Sequence, residues 1–157
     1  MKYKHEFNWA LKLTAVSALW LALQYFTGLH STHIHLHPLL GMLWYIFALI
    51  VIFLSIKNLR DQSLEGELYF WSGVQSGTMV AVISLPMHLV LYLLYYSTVG
   101  SIFFESAISY SLELGIDREE VEAFFNLPVL LIRETMGIIA SGFIISLLSS
   151  VFLKTDH

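Results

Sequence analysis

The sequence predicts an all-α, polytopic membrane protein with four transmembrane helices and an amphipathic helical loop between the third and the fourth. Of its 157 residues, 57% are hydrophobic and only 13% are charged, whereas an ordinary soluble domain carries about 25% charged residues. The apolar residues fall in long uncharged runs. Each run must be helical, because lipid offers no partners for backbone N–H and C=O groups. Residues 1–157 are therefore predicted to form one transmembrane domain.

Four spans are expected, because a membrane helix needs about 20 mostly apolar residues. Pro38 suits the first turn of the second helix. The third lies within an uncharged run from Leu68 to Phe104, which at about 1.5 Å per residue is too long for one crossing. The predicted spans are Leu13–Leu29, Pro38–Ile56, Trp71–Ser97 and Leu127–Leu153.

The distribution of basic residues predicts the orientation, because cytoplasmic loops carry an excess of Lys and Arg. One side of the predicted bundle carries Lys2, Lys4, Lys12, Lys57, Arg60 and Lys154. The other side carries Arg118, with Arg133 at its edge. Both termini are therefore expected in the cytoplasm.

The outer loop, residues 98–126, is expected to be helical rather than a plain linker. Phe103, Phe104, Ala107, Ser111 and Leu114 share one side of a helical wheel, which indicates an amphipathic helix at the interface. Gly115 can end that helix, and Asp117 to Glu120 matches a capping box that opens a second one. Six acids and one arginine between Glu105 and Glu122 make this loop acidic, which favours a solvated face.

Small residues predict close helix crossings. Gly73, Gly77 and Ala81 recur every four residues, a spacing that lets two backbones approach in lipid. The stripe continues through Ser84, His88, Tyr92 and Tyr95, so we expect a gap that is tight at the cytoplasmic end and wider outside. The crossing can lie within one chain or form a homo-oligomer seam.

The fourth span has two small faces. One contains Gly142 and Ser146, with Thr135, Ser149 and Ser150. The opposite one contains Gly137, Ala140 and Ser141. We therefore expect two close neighbours for this helix.

Three ionisable residues other than tyrosine fall inside the predicted spans, where an ionisable side chain is a functional candidate by default. His88 is interpreted either as a neutral imidazole bonded to a hydroxyl or as a proton or ion carrier. Arg133 and Glu134 either extend toward the interface or meet partners on another helix, for which Glu105 is a candidate for Arg133.

The stretch "HSTHIHLHP" supplies His30, His33, His35 and His37 between the first two spans. Alternating histidines share a face when extended, whereas His30, His33 and His37 share one when helical. Because Pro38 disfavours helix at His37, the extended form is expected. The segment is interpreted first as a polar interfacial turn, with a Zn, Cu or Ni site or a pH response as alternatives.

A family resemblance covers nearly the whole chain. It is carried by "NWALKLTAVSALWLALQYFTGLH", "KNLRDQSLEGELYFWSGVQSGTMVAVIS", "ISYSLELGIDREEVEAFFNLP" and "GIIASGFIISLLSSVFLK". These stretches resemble domain-of-unknown-function family 4199, small four-span membrane proteins of Gram-negative bacteria. The resemblance implies a multi-pass protein of the bacterial inner membrane. It implies no activity, and no functional residues carry over from it.

These patterns exclude or disfavour several functions. Without cysteine there are no disulfides, zinc–thiolate sites or iron–sulfur clusters. With net charge −4 and no basic cluster, nucleic acid is not an expected partner, and no catalytic motif is recognised.

The expected function is therefore that of a non-enzymatic membrane subunit, self-associating or accessory to other membrane proteins, whose surroundings are the lipid bilayer. The alternative is a small transporter or channel for a metal cation or proton that uses the His30–His37 loop and His88. No cofactor is expected beyond a divalent metal at that loop.

Overall fold

A computed structural model describes residues 3–63 and 66–155; Lys2 and His157 lie outside these ranges. The described chain is mainly helical. Its helices are α1 (Lys4–Phe26), α2 (His37–Leu40), α3 (Leu43–Ser63), α4 (Phe70–Tyr96), α5 (Ile102–Glu113), α6 (Arg118–Phe124) and α7 (Leu127–Leu153), with 3₁₀ turns at Ile34–Leu36 and Val99–Ser101.

The four long helices form a closed ring. α4 packs against α7 and α1, and α3 packs against the other sides of α7 and α1. Three helical stretches are long and apolar enough to cross a membrane: Ile34–Gln62, Phe70–Tyr96 and Leu127–Leu153. The ring therefore has two ends. We call the one with residues 27–42 and 97–126 the histidine end, and the one where α1 and α4 begin the terminal end.

Two helices have nearly the limits of their predicted spans. α7 coincides with the predicted fourth span, and α4 begins and ends one residue before the predicted third. Asn126 caps α7 by accepting a hydrogen bond from the Val129 N–H at 3.1 Å, and a side-chain cap of this kind fixes a helix start.

The other two helices differ from their predicted spans. α1 begins at Lys4 and ends at Phe26, because its first charged turns continue the helix beyond the apolar run. The predicted second span is interrupted after α2, and α3 then continues to Ser63.

α4 and α7 cross closely at the terminal end through small residues. A Cβ on Gly73 would meet Ser150, one on Gly77 would meet Ser146, and one on Gly142 would meet Ala81. Ile56 of α3 closes the same contact, with its Cδ1 only 2.8 Å from the Cβ position of Gly77. The Gly73 stripe therefore forms a contact within one chain, and the contact is close because glycine has no side chain.

The second small face of α7 is open. A Cβ on Gly137 would meet no atom within 4 Å outside its own helix, and Ala140 is exposed. Ser141 donates a hydrogen bond to the Gly137 carbonyl at 2.6 Å, so its hydroxyl is satisfied within α7. The expected second close neighbour on this face is absent from the described chain.

The histidine end is covered by α5 and α6. α5 buries Phe103, Ala107 and Ser111, three residues of the predicted apolar side, whereas Leu114 is exposed. Gly115 ends the helix with φ +84°, a conformation that favours glycine. Asp117 caps α6 by accepting from the Glu119 N–H at 2.9 Å.

Candidate functional site

The turn after α1 folds His30 back into the bundle. Gly28 has φ +74°, and the N–H groups of Gly28 and Leu29 bond the carbonyls of Tyr25 and Gln24. This is a Schellman turn, in which glycine takes the left-handed position without steric cost. The reversal leaves His30 only 1% exposed.

His30 lies among aromatic rings. Its Nδ1 is hydrogen-bonded to the Tyr95 hydroxyl at 2.7 Å, and its ring centroid lies 5.1 Å from that of Phe103 and 5.8 Å from that of Tyr96. Its Nε2 is buried and has no hydrogen-bond partner among residues 3–63 and 66–155. Burial, and secondarily the neighbouring His37, lowers the pKa of His30 from 6.5 to about 3, so His30 is neutral near pH 7.

The prediction that the His30–His37 segment is extended is wrong. Ile34–Leu36 is a 3₁₀ turn, and His37 is helical with φ −56° and ψ −41°. Pro38 lies in the first turn of α2, where proline is tolerated because that N–H needs no helical partner. The backbone bond from Leu36 N–H to the His33 carbonyl stabilises this geometry.

The four histidines form two pairs rather than one cluster. The His30 and His37 centroids are 5.3 Å apart, and those of His33 and His35 are 6.3 Å apart. His33 also donates to the Thr27 carbonyl at 3.1 Å. In residues 3–63 and 66–155, no group of three His, Cys, Asp or Glu side chains is arranged to hold a metal ion. Metal binding here stays a prediction.

A cavity of about 330 Å³ opens beside His37 at the histidine end; we call it the outer pocket. It lies between α1, α3, α4 and α7. Its polar lining includes Gln24, His37, Arg133 and Glu134, and its aromatic lining includes Trp20, Trp44, Tyr45, Tyr92, Tyr96 and Phe103. Arg133 and Glu134, which the sequence predicts to lie in one span, border this pocket together with His37.

The charged groups of the outer pocket are not paired with each other. The Arg133 guanidinium stands 4.7 Å above the Phe124 ring, and within the described chain it forms no ion pair with Glu134 or with Glu105. Consecutive helical residues point about 100° apart, which explains why Arg133 and Glu134 do not form an ion pair with each other. Gln24 is 4% exposed and lines the same pocket, so its amide is a buried polar group. Polar groups in this condition are costly unless water or a ligand satisfies them.

His88 lies deeper in the bundle and is fully bonded. It has 0% exposure, with Nε2 2.5 Å from the Ser17 hydroxyl and Nδ1 3.0 Å from the Ser84 carbonyl. Thr14 lies 3.3 Å from the same Nδ1. The bonded hydroxyls therefore belong to Ser17 and Thr14 of α1. These contacts attach α4 to α1.

α1 has a polar face that was not predicted from the sequence. Thr14, Ser17, Leu21 and Gln24 follow at spacings of 3, 4 and 3, which is the repeat of one helical face. Three of these four residues are polar, and that pattern within an apolar run was a usable signal. The face joins the His88 contacts to the outer pocket.

Comparison with known proteins gives one match. A family model described as "Protein of unknown function (DUF4199)" matches residues 8–155. No curated protein and no solved structure matches the chain. Because the match covers nearly the whole sequence, the chain belongs to the DUF4199 family.

Proposed function

We propose that this chain is a non-enzymatic, four-span subunit of the bacterial inner membrane. In this proposal α1 crosses the membrane together with α3, α4 and α7, and both termini lie in the cytoplasm. The observation that carries the proposal is the buried hydrogen bond between Ser17 and His88, which attaches α1 to α4 and so to the other apolar helices of the ring. With 23 residues, α1 is about 35 Å long, enough for a hydrocarbon core of about 30 Å.

Reporter fusions test the topology. A cytoplasm-active and a periplasm-active reporter are fused separately at His157, at Gly66 and in the 31–36 turn. We expect cytoplasmic signal at the first two sites and periplasmic signal at the third. Periplasmic signal at His157, or the same side for Gly66 and the 31–36 turn, contradicts the arrangement.

Self-association is the proposed role, and the open face of α7 supports it. Gly137 and Ala140 present a surface on which another helix can approach closely, and such contacts drive association in lipid. Replacing Gly137 with leucine should lower the fraction of crosslinked oligomer in native membranes. Val82→Leu is the control, because Val82 is exposed on α4. Equal oligomer fractions for Gly137→Leu and wild type contradict the role.

Passage of a proton or metal cation is the second candidate. Trp44 lines both the outer pocket and a small void of about 10 Å³ beside His88. The ring centroid of Tyr92, another residue of the pocket, lies 5.9 Å from that of His88. Proteoliposomes with an internal pH or zinc dye test it. A flux that His88→Phe abolishes supports passage, and leakage equal to that of empty liposomes contradicts it.

A further inference from the structure

The outer pocket presents both signs of charge to one cavity. Arg133 and Glu134 line it at half-buried positions, and neither has an ion-pair partner in the described ranges. An isolated anion would be attracted by the guanidinium and repelled by the carboxylate, and an isolated cation would meet the reverse. A ligand that separates its own charges by a few bonds satisfies both groups.

The other lining groups define the ligand more closely. Trp44, Tyr45 and Tyr92 line the cavity, and aromatic side chains can attract ammonium groups through their ring faces. A guanidinium binds phosphate through two parallel hydrogen bonds. The buried amide of Gln24 adds a polar group that can both donate and accept a hydrogen bond. The volume of about 330 Å³ lies at the small end of the ~300–1,000 Å³ range of ligand pockets.

The position of the pocket along the bundle suggests where such a ligand comes from. Gln24 is in the last turn of α1, Tyr96 ends α4, and Arg133 lies in the second turn of α7. These residues are at the depth where a long helix leaves the hydrocarbon and enters the headgroup layer. Tyr45 and Met42 are exposed on the bundle surface, so the pocket opens sideways as well.

We propose that the outer pocket binds a phosphate–ammonium zwitterion of the phosphoethanolamine class, with Arg133 holding the phosphate and Glu134 and the aromatic faces holding the ammonium. A phosphatidylethanolamine headgroup and a free glycerophosphoethanolamine both have this chemistry. Binding goes beyond the proposed function and does not require its topology, so it is measured in detergent, where orientation has no influence.

Intrinsic fluorescence measures the binding directly, because Trp20 and Trp44 line the pocket. The full chain, stripped of lipid, is titrated with dihexanoyl phosphatidylethanolamine, with glycerophosphoethanolamine, and with dihexanoyl phosphatidylglycerol, which has the phosphate without the ammonium. We expect saturable changes with the ethanolamine lipid and affinity at least about tenfold lower for the glycerol lipid. Binding of glycerophosphoethanolamine shows that the headgroup suffices, and its failure assigns the site to lipid alone.

Matched variants locate the site. Arg133→Gln and Glu134→Gln should each weaken ethanolamine-lipid binding at least about tenfold, whereas Arg118→Gln and Glu119→Gln remove the same charges from exposed positions and should change it less than about twofold. If a pocket variant does not fold, Tyr45→Ala replaces it, because Tyr45 is 49% exposed. No saturable change, equal affinity for both lipids, or equal binding by pocket and control variants overturns the proposal.

Discussion

The contact between α4 and α7 differs at its two ends. At the terminal end Gly73, Gly77 and Gly142 face serine or alanine, and a single added carbon would meet a neighbouring atom. At the histidine end the same helices present Tyr92, Tyr96 and Arg133 to a cavity of about 330 Å³. The same pair of antiparallel helices is therefore closely packed at one end and borders a polar pocket, together with α1 and α3, at the other.

Side-chain size explains the difference. The distance between packed helices is set by the residues at the contact. Glycine and serine therefore allow the two axes to approach closely, whereas tyrosine side chains need more space. In lipid the close end is stabilised by dispersion and not by the hydrophobic effect. The wide end leaves room for polar groups, which need partners there. The terminal end is thus closely packed, whereas the histidine end holds the polar groups of the outer pocket.

Gly77→Leu should give the largest effect. The new side chain would overlap Ser146 and Ile56. Overpacking costs about 1–3 kcal/mol and occasionally more. Because a whole leucine side chain would enter this close contact, we expect a cost at or above the upper end of that range and loss of the folded peak in detergent gel filtration. Gln75→Leu is the control, because Gln75 is exposed on the same helix. Equal tolerance of both variants would mean that the close crossing is wrong.

His88→Ala should come next, with a loss of about 2–4 kcal/mol from a cavity and from unbonded partners. Ser17→Ala should cost about 1 kcal/mol, and the double variant should cost less than the sum because the two residues share one hydrogen bond. Thermal melts of the four proteins give the coupling. Additive losses would contradict a direct contact between α1 and α4.

His30 should give a pH effect of intermediate size. Its pKa is about 3 in the folded chain and 6.5 in the unfolded one, so below pH 6.5 the unfolded state binds the additional proton. Stability should therefore fall as pH decreases from 6.5 toward 3, by at most about 1.4 kcal/mol per pH unit. His30→Phe should have a shallower slope of melting temperature against pH than wild type. Identical slopes for His30→Phe and wild type would contradict the burial of His30.

His35→Ala should give the smallest effect, within about 0.5 kcal/mol, because exposed side chains contribute little to stability. His35 is exposed, and its ring lies beside that of His33. Two imidazoles do not complete a zinc site, and the described residues offer no third ligand. Titration calorimetry should therefore show zinc binding no tighter than about millimolar. Micromolar binding that His35→Ala removes would show that the segment rearranges around metal.

The sequence predicts the apolar helices well and the histidine end poorly. Uncharged runs fix α4 and α7 because lipid leaves the backbone no other conformation. The conformation of His30–His37 depends on the Gly28 turn and on contact with Phe103, and neither follows from local propensity. The outer pocket joins Gln24 to Glu134, 110 positions later in the sequence, and only the packing of four helices brings them to one cavity.

Cysteine pairs measure the difference between the two ends most directly, because the chain has no native cysteine. Gly77→Cys/Ser146→Cys tests the terminal end, and Tyr92→Cys/Leu131→Cys continues the same antiparallel register to the histidine end. A disulfide requires Cα atoms within about 7 Å. We predict rapid oxidation of the first pair, and for the second pair crosslinking only by a longer bifunctional maleimide. Equal oxidation of both pairs, or none at the terminal end, would contradict the account.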